Sequence, residues 1–237
     1  MMKTILKIST VLLLFLSASC MMNGVKGDGN VITQNRIISS DFTELKVSQG
    51  IEVSLTMSKE TSLSLEADEN LHDLIITEVE DGVLHIYSEE NIYRSTARKV
   101  YLSTSTIDKI NVSSGAAVVS ENTIQAEDFE VNTSSGSSVR LMLNVSDLSC
   151  DTSSGSDARL KGTASHFVVN ASSGSSIKAK ELAVKTCDAD VSSGASIKVN
   201  VSENLDANAS SGGGIRYVGS PKSIDKNSSS GGSISGS

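Results

Sequence analysis

The chain has 237 residues, 28 of them acidic and 20 basic, for a formal charge of −8. Lys3 and Lys7 are the only charged residues before position 20, so the remainder is more acidic still. It lacks the positive footprint with which nucleic-acid binders release counterions from phosphate. One Pro, no Trp, 3% aromatics and 45 Ser exclude a core of ordinary large side chains, yet 38% hydrophobic residues exclude simple disorder.

At the N-terminus, Lys3 and Lys7 precede a short apolar run from Val11 to Leu16, followed by Ser17, Ala18, Ser19 and Cys20. The run is too short to cross a bilayer as a helix and reads as an export signal. Its small-small-Cys ending resembles a bacterial lipobox. Residues 1–19 are then a lipoprotein signal peptide, and Cys20 is the lipidation site that anchors the chain to a membrane without a spanning helix. An ordinary signal peptide with an incidental Cys20 is the plainer alternative. Residues 20–29 contain Gly and Asn, lack apolar periodicity, and read as a tether. The expected address is the cell envelope, as an outer-membrane-anchored lipoprotein facing either the surface or the periplasm.

Residues 30–105 look β-rich. Leu45, Val47, Ile51, Val53, Leu55 and Met57 keep a broken period of two, interrupted near Gly50, and Leu63 and Leu65 continue it. Asp81-Gly82 lies between two apolar runs and predicts a hairpin. Residues 69–75 have room for one or two helical turns. The region is expected to form irregular β coils that cap the C-terminal repeats and are continuous with them.

Residues 106–237 are dominated by Ser-Ser-Gly, with Gly at 115, 136, 155, 174, 194, 212 and 231. A period near 19 residues with one retained turn is the signature of a solenoid. Four residues before each Gly stands Asn or Asp; three residues after it stand Val118, Val139, Ala158, Ile177, Ile197, Ile215 and Ile234. Apolar residues recur seven and five positions before the Gly, alternating with polar ones, which makes that half of the coil a strand. Coils stacked about 4.8 Å apart convert each column into a ladder. The predicted fold is all-β: a parallel right-handed β-helix, or solenoid, with two or three short strands per coil. Gly supplies the positive φ at each corner. A disordered low-complexity tract has no reason to keep one position apolar seven times. The last coil turns polar at Lys226 and Ser228, as terminal repeats do to avoid recruiting another chain.

Asp41-Phe42, Val47-Ser48-Gln49-Gly50-Ile51-Glu52-Val53, Ala67-Asp68-Glu69-Asn70-Leu71 and Asp81-Gly82-Val83-Leu84-His85-Ile86, followed by the Ser-Ser-Gly coils, resemble the bacterial auto-transporter adhesin head GIN domain family of Bacteroidetes lipoproteins. Gly50-Ile51-Glu52 departs from the family's naming triplet only in its last residue. The resemblance implies a β-helix in the cell envelope and supplies no catalytic residues.

The chain offers little for catalysis or for a cofactor. His72, His85 and His166 lack metal spacing, with His85 in a strand-like alternation and His166 in a loop. The Ser-Ser-Gly hydroxyls lack a base. Cys150 and Cys187 fall two coils apart, beyond disulfide reach, and are expected to be buried thiols. Four residues after the Gly, Arg140, Arg159, Lys178, Lys198 and Arg216 form a basic column over five coils. It is either a stripe for an anionic polymer such as acidic glycan, or a solvated face that discourages aggregation. Asp188, Asp206 and Asp225, with Asp190 beside them, form an acidic column that could hold Ca²⁺ or lie open to water. The leading reading is a non-enzymatic envelope lipoprotein that serves as an adhesin or binding surface. A lyase-like carbohydrate-active enzyme and a scaffold partner of another envelope protein are the alternatives.

Overall fold

The computed structural model describes residues 24–236, so the expected signal peptide over 1–19 and the expected lipidation site at Cys20 lie outside the described residues. In chain order the strands are β1 (Val25–Lys26), β2 (Val31–Arg36), β3 (Glu44–Val47), β4 (Glu52–Met57), β5 (Ser62–Asp68), β6 (Ile75–Glu80), β7 (Val83–Ser88), β8 (Ile92–Arg94) and β9 (Arg98–Thr104). The repeat contributes β10 (Lys109–Val112), β11 (Ala117–Thr133), β12 (Ser138–Thr152), β13 (Asp157–Ala171), β14 (Ser176–Val191), β15 (Ser196–Ala209), β16 (Gly214–Val218), β17 (Ser223–Ser228) and β18 (Ser233–Gly236). Sixteen of them form one sheet, and β1 pairs with β8 alone. Helical structure between Asp68 and Ile75 is limited to a 3₁₀ turn at Glu69–Leu71. Among the described residues no helix is long and apolar enough to cross a membrane.

From β10 onward every pairing is parallel, and residues about 19 apart lie side by side. The fold is the parallel β-solenoid that the columns predict. The strands differ from expectation in length: each of β11 to β15 runs for 14–17 residues around the coil. Bends are absorbed by register irregularities, such as that between Val119 and Thr123, rather than by breaks in the ladder.

The corner itself has a geometry that glycine alone does not explain. Both the second Ser and the Gly of every copy have positive φ, 48–53° for Ser and 70–78° for Gly. The residue after the Gly donates its N–H to the carbonyl of the first Ser, as Ala116 does to Ser113 at 3.1 Å. Two consecutive positive φ values inside such a bond mark a type I′ turn. Ser tolerates this position because the turn also bonds along the stack: the Gly115 N–H donates to the Ser135 carbonyl at 3.0 Å, and Ser134 N–H to the Val112 carbonyl at 3.0 Å. The same bonds recur up the solenoid and fix both backbone groups that a lone turn would leave to water.

The interior holds more columns than the sequence discloses. Besides the predicted ones, the residues just before and just after Ser-Ser-Gly are buried in every copy but the last. In the middle coils they are hydroxyls. Thr133 Oγ1 donates to Ser156 Oγ at 3.0 Å, Ser156 Oγ lies 2.8 Å from the Ser153 carbonyl, and Thr152 and Ser175 repeat the contact at 2.9 Å. Each buried hydroxyl therefore has a partner, without which it would be strongly destabilising. In later coils the same space is filled by carbon. Val191 faces Gly213, where an added Cβ would come within 3.0 Å of Val191 Cγ1.

The N-terminal region is a cap, but only partly irregular. β3 pairs parallel with β10, and β4 with β11, so residues 44–57 form a regular coil beneath the first Ser-Ser-Gly coil. Its corner, Gln49-Gly50, has the same paired positive φ, and Gly50 N–H donates to the Ser114 carbonyl at 3.0 Å. β7 and β9 stack on the far side of that coil. Spatial order thus departs from chain order: the solenoid grows from the coil at 44–57, with 83–104 laid outside it. The predicted hairpin is present as antiparallel β6–β7, turning at Asp81-Gly82. Antiparallel β5 and β2 complete this end.

Candidate binding faces

The strand after each Ser-Ser-Gly corner carries the basic column. Its apolar neighbours point inward and are buried, so alternation turns Arg140, Arg159, Lys178, Lys198 and Arg216 outward. The register brings all five together: Arg140 pairs with Arg159, Arg159 with Lys178, Lys178 with Lys198 and Lys198 with Arg216. Adjacent rungs of one sign at strand spacing repel. One carboxylate, Asp157, relieves the middle of the row. It accepts from Arg159 Nε at 3.1 Å and forms an ion pair with Lys178. Lys161 and Lys180 stand two residues further on and widen the positive surface, with Lys161 paired to Glu181 at 2.9 Å. Asp157 departs from its column in a single coil, and Lys161 and Lys180 share the position six after the Gly in only two, so neither leaves a signal as long as the basic column.

On the other side of the corner, the preceding strand carries the opposite charge. Asp188, Asp206 and Asp225 occupy consecutive rungs in register and are exposed. Asp128 and Asp147 lie in register further down the stack, next to His166. Among the described residues no group of three or more His, Cys, Asp or Glu is arranged to hold a metal ion. His166 sits within β13, not in a loop, and its Nδ1 lies 2.7 Å from Thr186 Oγ1. His72 is buried, with Nε2 3.2 Å from the Ile32 carbonyl and 3.3 Å from that of Ala67. Neither ring is bonded to a serine of the repeat. In β14 and β15 the acidic and basic residues stand towards opposite ends of one long strand, Lys178 and Asp188 in the first and Lys198 and Asp206 in the second, so they do not converge on a shared point as an acid–base pair would.

Between the acidic ladder and the corner runs a polar groove of about 830 Å³, lined by the Asn/Asp column and by the first Ser of each copy. The amides stack as pairs, not as one continuous ladder. Asn132 Nδ2 donates to Asn111 Oδ1 at 2.9 Å, and Asn170 Nδ2 to Asp151 Oδ1 at 2.8 Å. Asn132 also donates to Glu130 at 2.6 Å. With Lys109 3.2 Å away, this holds the Glu130 carboxyl below its ordinary range. None of the five column cations lines this groove.

Cys150 and Cys187 are free and buried in adjoining inward columns, as expected. Burial pushes both thiols up, Cys187 to about 12, with Asp188 adding to the effect. They behave as apolar filler, not as nucleophiles.

Residues 41–221 match the family model described as "Putative auto-transporter adhesin, head GIN domain". No curated protein matches the chain at a significant level. Among solved structures, a putative adhesin from Bacteroides fragilis NCTC 9343 is 20% identical with a TM-score of 0.83, covering 90% of this chain and 100% of its own. A putative lipid binding protein from Parabacteroides distasonis ATCC 8503 is 25% identical, with a TM-score of 0.73 and coverage of 90% and 99%. A putative adhesin from Parabacteroides merdae ATCC 43184 is 20% identical, with a TM-score of 0.74 and coverage of 90% and 98%.

Proposed function

The chain belongs to the auto-transporter adhesin head GIN domain family, and from that membership we propose that it is a non-catalytic cell-envelope protein whose basic face holds a repeating polyanion. The observation that carries this reading is the in-register row Arg140–Arg159–Lys178–Lys198–Arg216 on a chain of net charge −8. A flat row of cations spaced about 4.8 Å apart offers an extended acidic chain many equivalent contacts. Each is weak alone, and together they act by multivalency. Arg supplies planar forks for carboxylate or phosphate, and Lys a mobile point charge. Rigidity comes from the hydrogen-bonded stack, so little ordering cost falls on the protein when it binds.

Acidic glycan is the ligand this geometry fits best. The relative described as a putative lipid binding protein adds a second source of anionic oxygens, the phosphates of acidic lipid headgroups in place of glycan carboxylates. In the same proposal, lipid on Cys20 holds the solenoid at the outer membrane, with residues 20–29 as the tether.

Titration of the full chain with polygalacturonate and with vesicles containing phosphatidylglycerol separates the two sources. Replacing Arg159 and Lys178 together with Ser should weaken binding to the preferred probe at least roughly tenfold at low salt, with a shallower salt dependence. Unchanged binding by that variant would remove the stripe from the function.

A further inference from the structure

Charge on this solenoid is sorted by face, and the sorting is repeated at one spacing. Lys178, Lys198 and Arg216 occupy three consecutive rungs on the strand after the corner. Asp188, Asp206 and Asp225 occupy three consecutive rungs on the strand before it. Both ladders rise by the same interstrand step, because both are products of the same coil stack. We infer that the partner of the acidic face is a second copy of this chain, docked side by side with its basic face against the acidic ladder and its axis parallel.

Three features of the ladders favour a second copy. A solenoid of this kind carries cations at the coil repeat over several rungs, so each Asp meets a cation without adjustment of either backbone. Both faces are formed by hydrogen-bonded sheet and are already rigid, which leaves side-chain ordering as the main cost of docking. Among the described residues no Lys or Arg forms an ion pair with Asp188, Asp206 or Asp225, whereas Glu130, further down the same column, is neutralised by Lys109. The contact is heterologous: the patch used by one copy differs from the patch used by the next. Such contacts extend into rows or close into rings rather than stopping at a dimer. The polyanion proposed above competes for the basic face, so ligand would disperse the rows.

The test uses charge reversal on each face. The full chain in a non-ionic detergent should sediment as oligomers in about 20 mM salt and as monomer in about 300 mM salt, where the Debye length falls below the reach of exposed pairs. Lys178→Glu with Lys198→Glu gives two acidic faces, and Asp188→Lys with Asp206→Lys gives two basic faces. Each variant alone should be monomeric in low salt, and an equimolar mixture should associate again. Because recovery on mixing requires both variants to be folded, it cannot arise from damage to either. A wild-type chain that stays monomeric in low salt would overturn the inference. So would a reversed variant that associates as wild type does, or a mixture that remains monomeric. Asp188→Asn with Asp206→Asn keeps the basic stripe without adding a second one, so its binding of polygalacturonate tests the functional proposal separately.

Discussion

Gly155 and Gly162 lie seven residues apart in one coil, and replacing each with Ala separates two roles that look alike in the sequence. Gly155 sits at the corner with φ +72°, and a Cβ built there meets nothing within 4 Å. Its Ala variant suffers only the left-handed backbone penalty, about 1–2 kcal/mol. Gly162 has φ +111°, and its Cβ would lie 1.9 Å from the Leu143 carbonyl oxygen. That oxygen belongs to the paired strand of the previous coil, because Leu143 and Gly162 are register partners. Relief requires the two strands to part, so overpacking of about 1–3 kcal/mol or more adds to backbone strain of similar size. The expected loss is about 3–5 kcal/mol for Gly162→Ala. At roughly 2–4 °C per kcal/mol for a chain of this size, the melting temperature falls by about 2–8 °C for Gly155→Ala and at least 6 °C for Gly162→Ala. Thermal melts followed by far-ultraviolet circular dichroism read both. Equal losses, or a larger loss at Gly155, would refute the assignment of a close interstrand approach to Gly162.

Asp157→Asn removes the one carboxylate that bridges Arg159 and Lys178. A ligand anion seated on those cations lies about 5 Å from Asp157, where unit charges in water interact by roughly 0.8 kcal/mol. Polygalacturonate affinity should therefore rise by about fourfold in low salt, measured by calorimetric titration, with stability changed by under about 1 kcal/mol as for other exposed pairs. Cys150 and Cys187 should resist iodoacetamide in the folded chain at pH 8 and react once urea unfolds it, with mass spectrometry counting the labels; labelling of the native chain at the rate of a free thiol would contradict their burial. Glu130 is held below its usual pKa by Asn132 and Lys109. Its stabilising effect is therefore present above the unfolded pKa of about 4.3 and fades as pH falls through the lower folded value. Glu130→Gln should lower the melting temperature slightly at pH 7 and leave it unchanged near pH 2.

Much of this protein is legible in its columns. A turn repeated about every 19 residues, with Ile, Val or Ala three positions later, specifies a stack because only stacking makes identical positions neighbours. Alternation on either side then decides which residues face inward, and hence that Arg140, Arg159, Lys178, Lys198 and Arg216 share one outer row. The coil at 44–57 is less legible, since Gln49-Gly50 supplies the corner's two positive φ values with a different first residue. Its place next to β10, ahead of the chain segment that precedes β10, depends on long-range pairing that no local pattern encodes.

Features confined to one or two coils were decided by the tertiary structure alone. Asp157 matters because the fold sets it between two cations, one of them in the next coil. Thr133 and Thr152 are tolerated inside because Ser156 and Ser175 arrive opposite them, and Val191 because Gly213 leaves it room. Gly162 is required by a carbonyl 19 residues earlier. Composition, with its single Pro, absent Trp and 45 Ser, determined that small side chains must be arranged in repeats to bury anything. Stacking determined where the charges left outside would meet. A repeat fixes what every coil has in common, whereas a contact between coils depends on what each one has to itself.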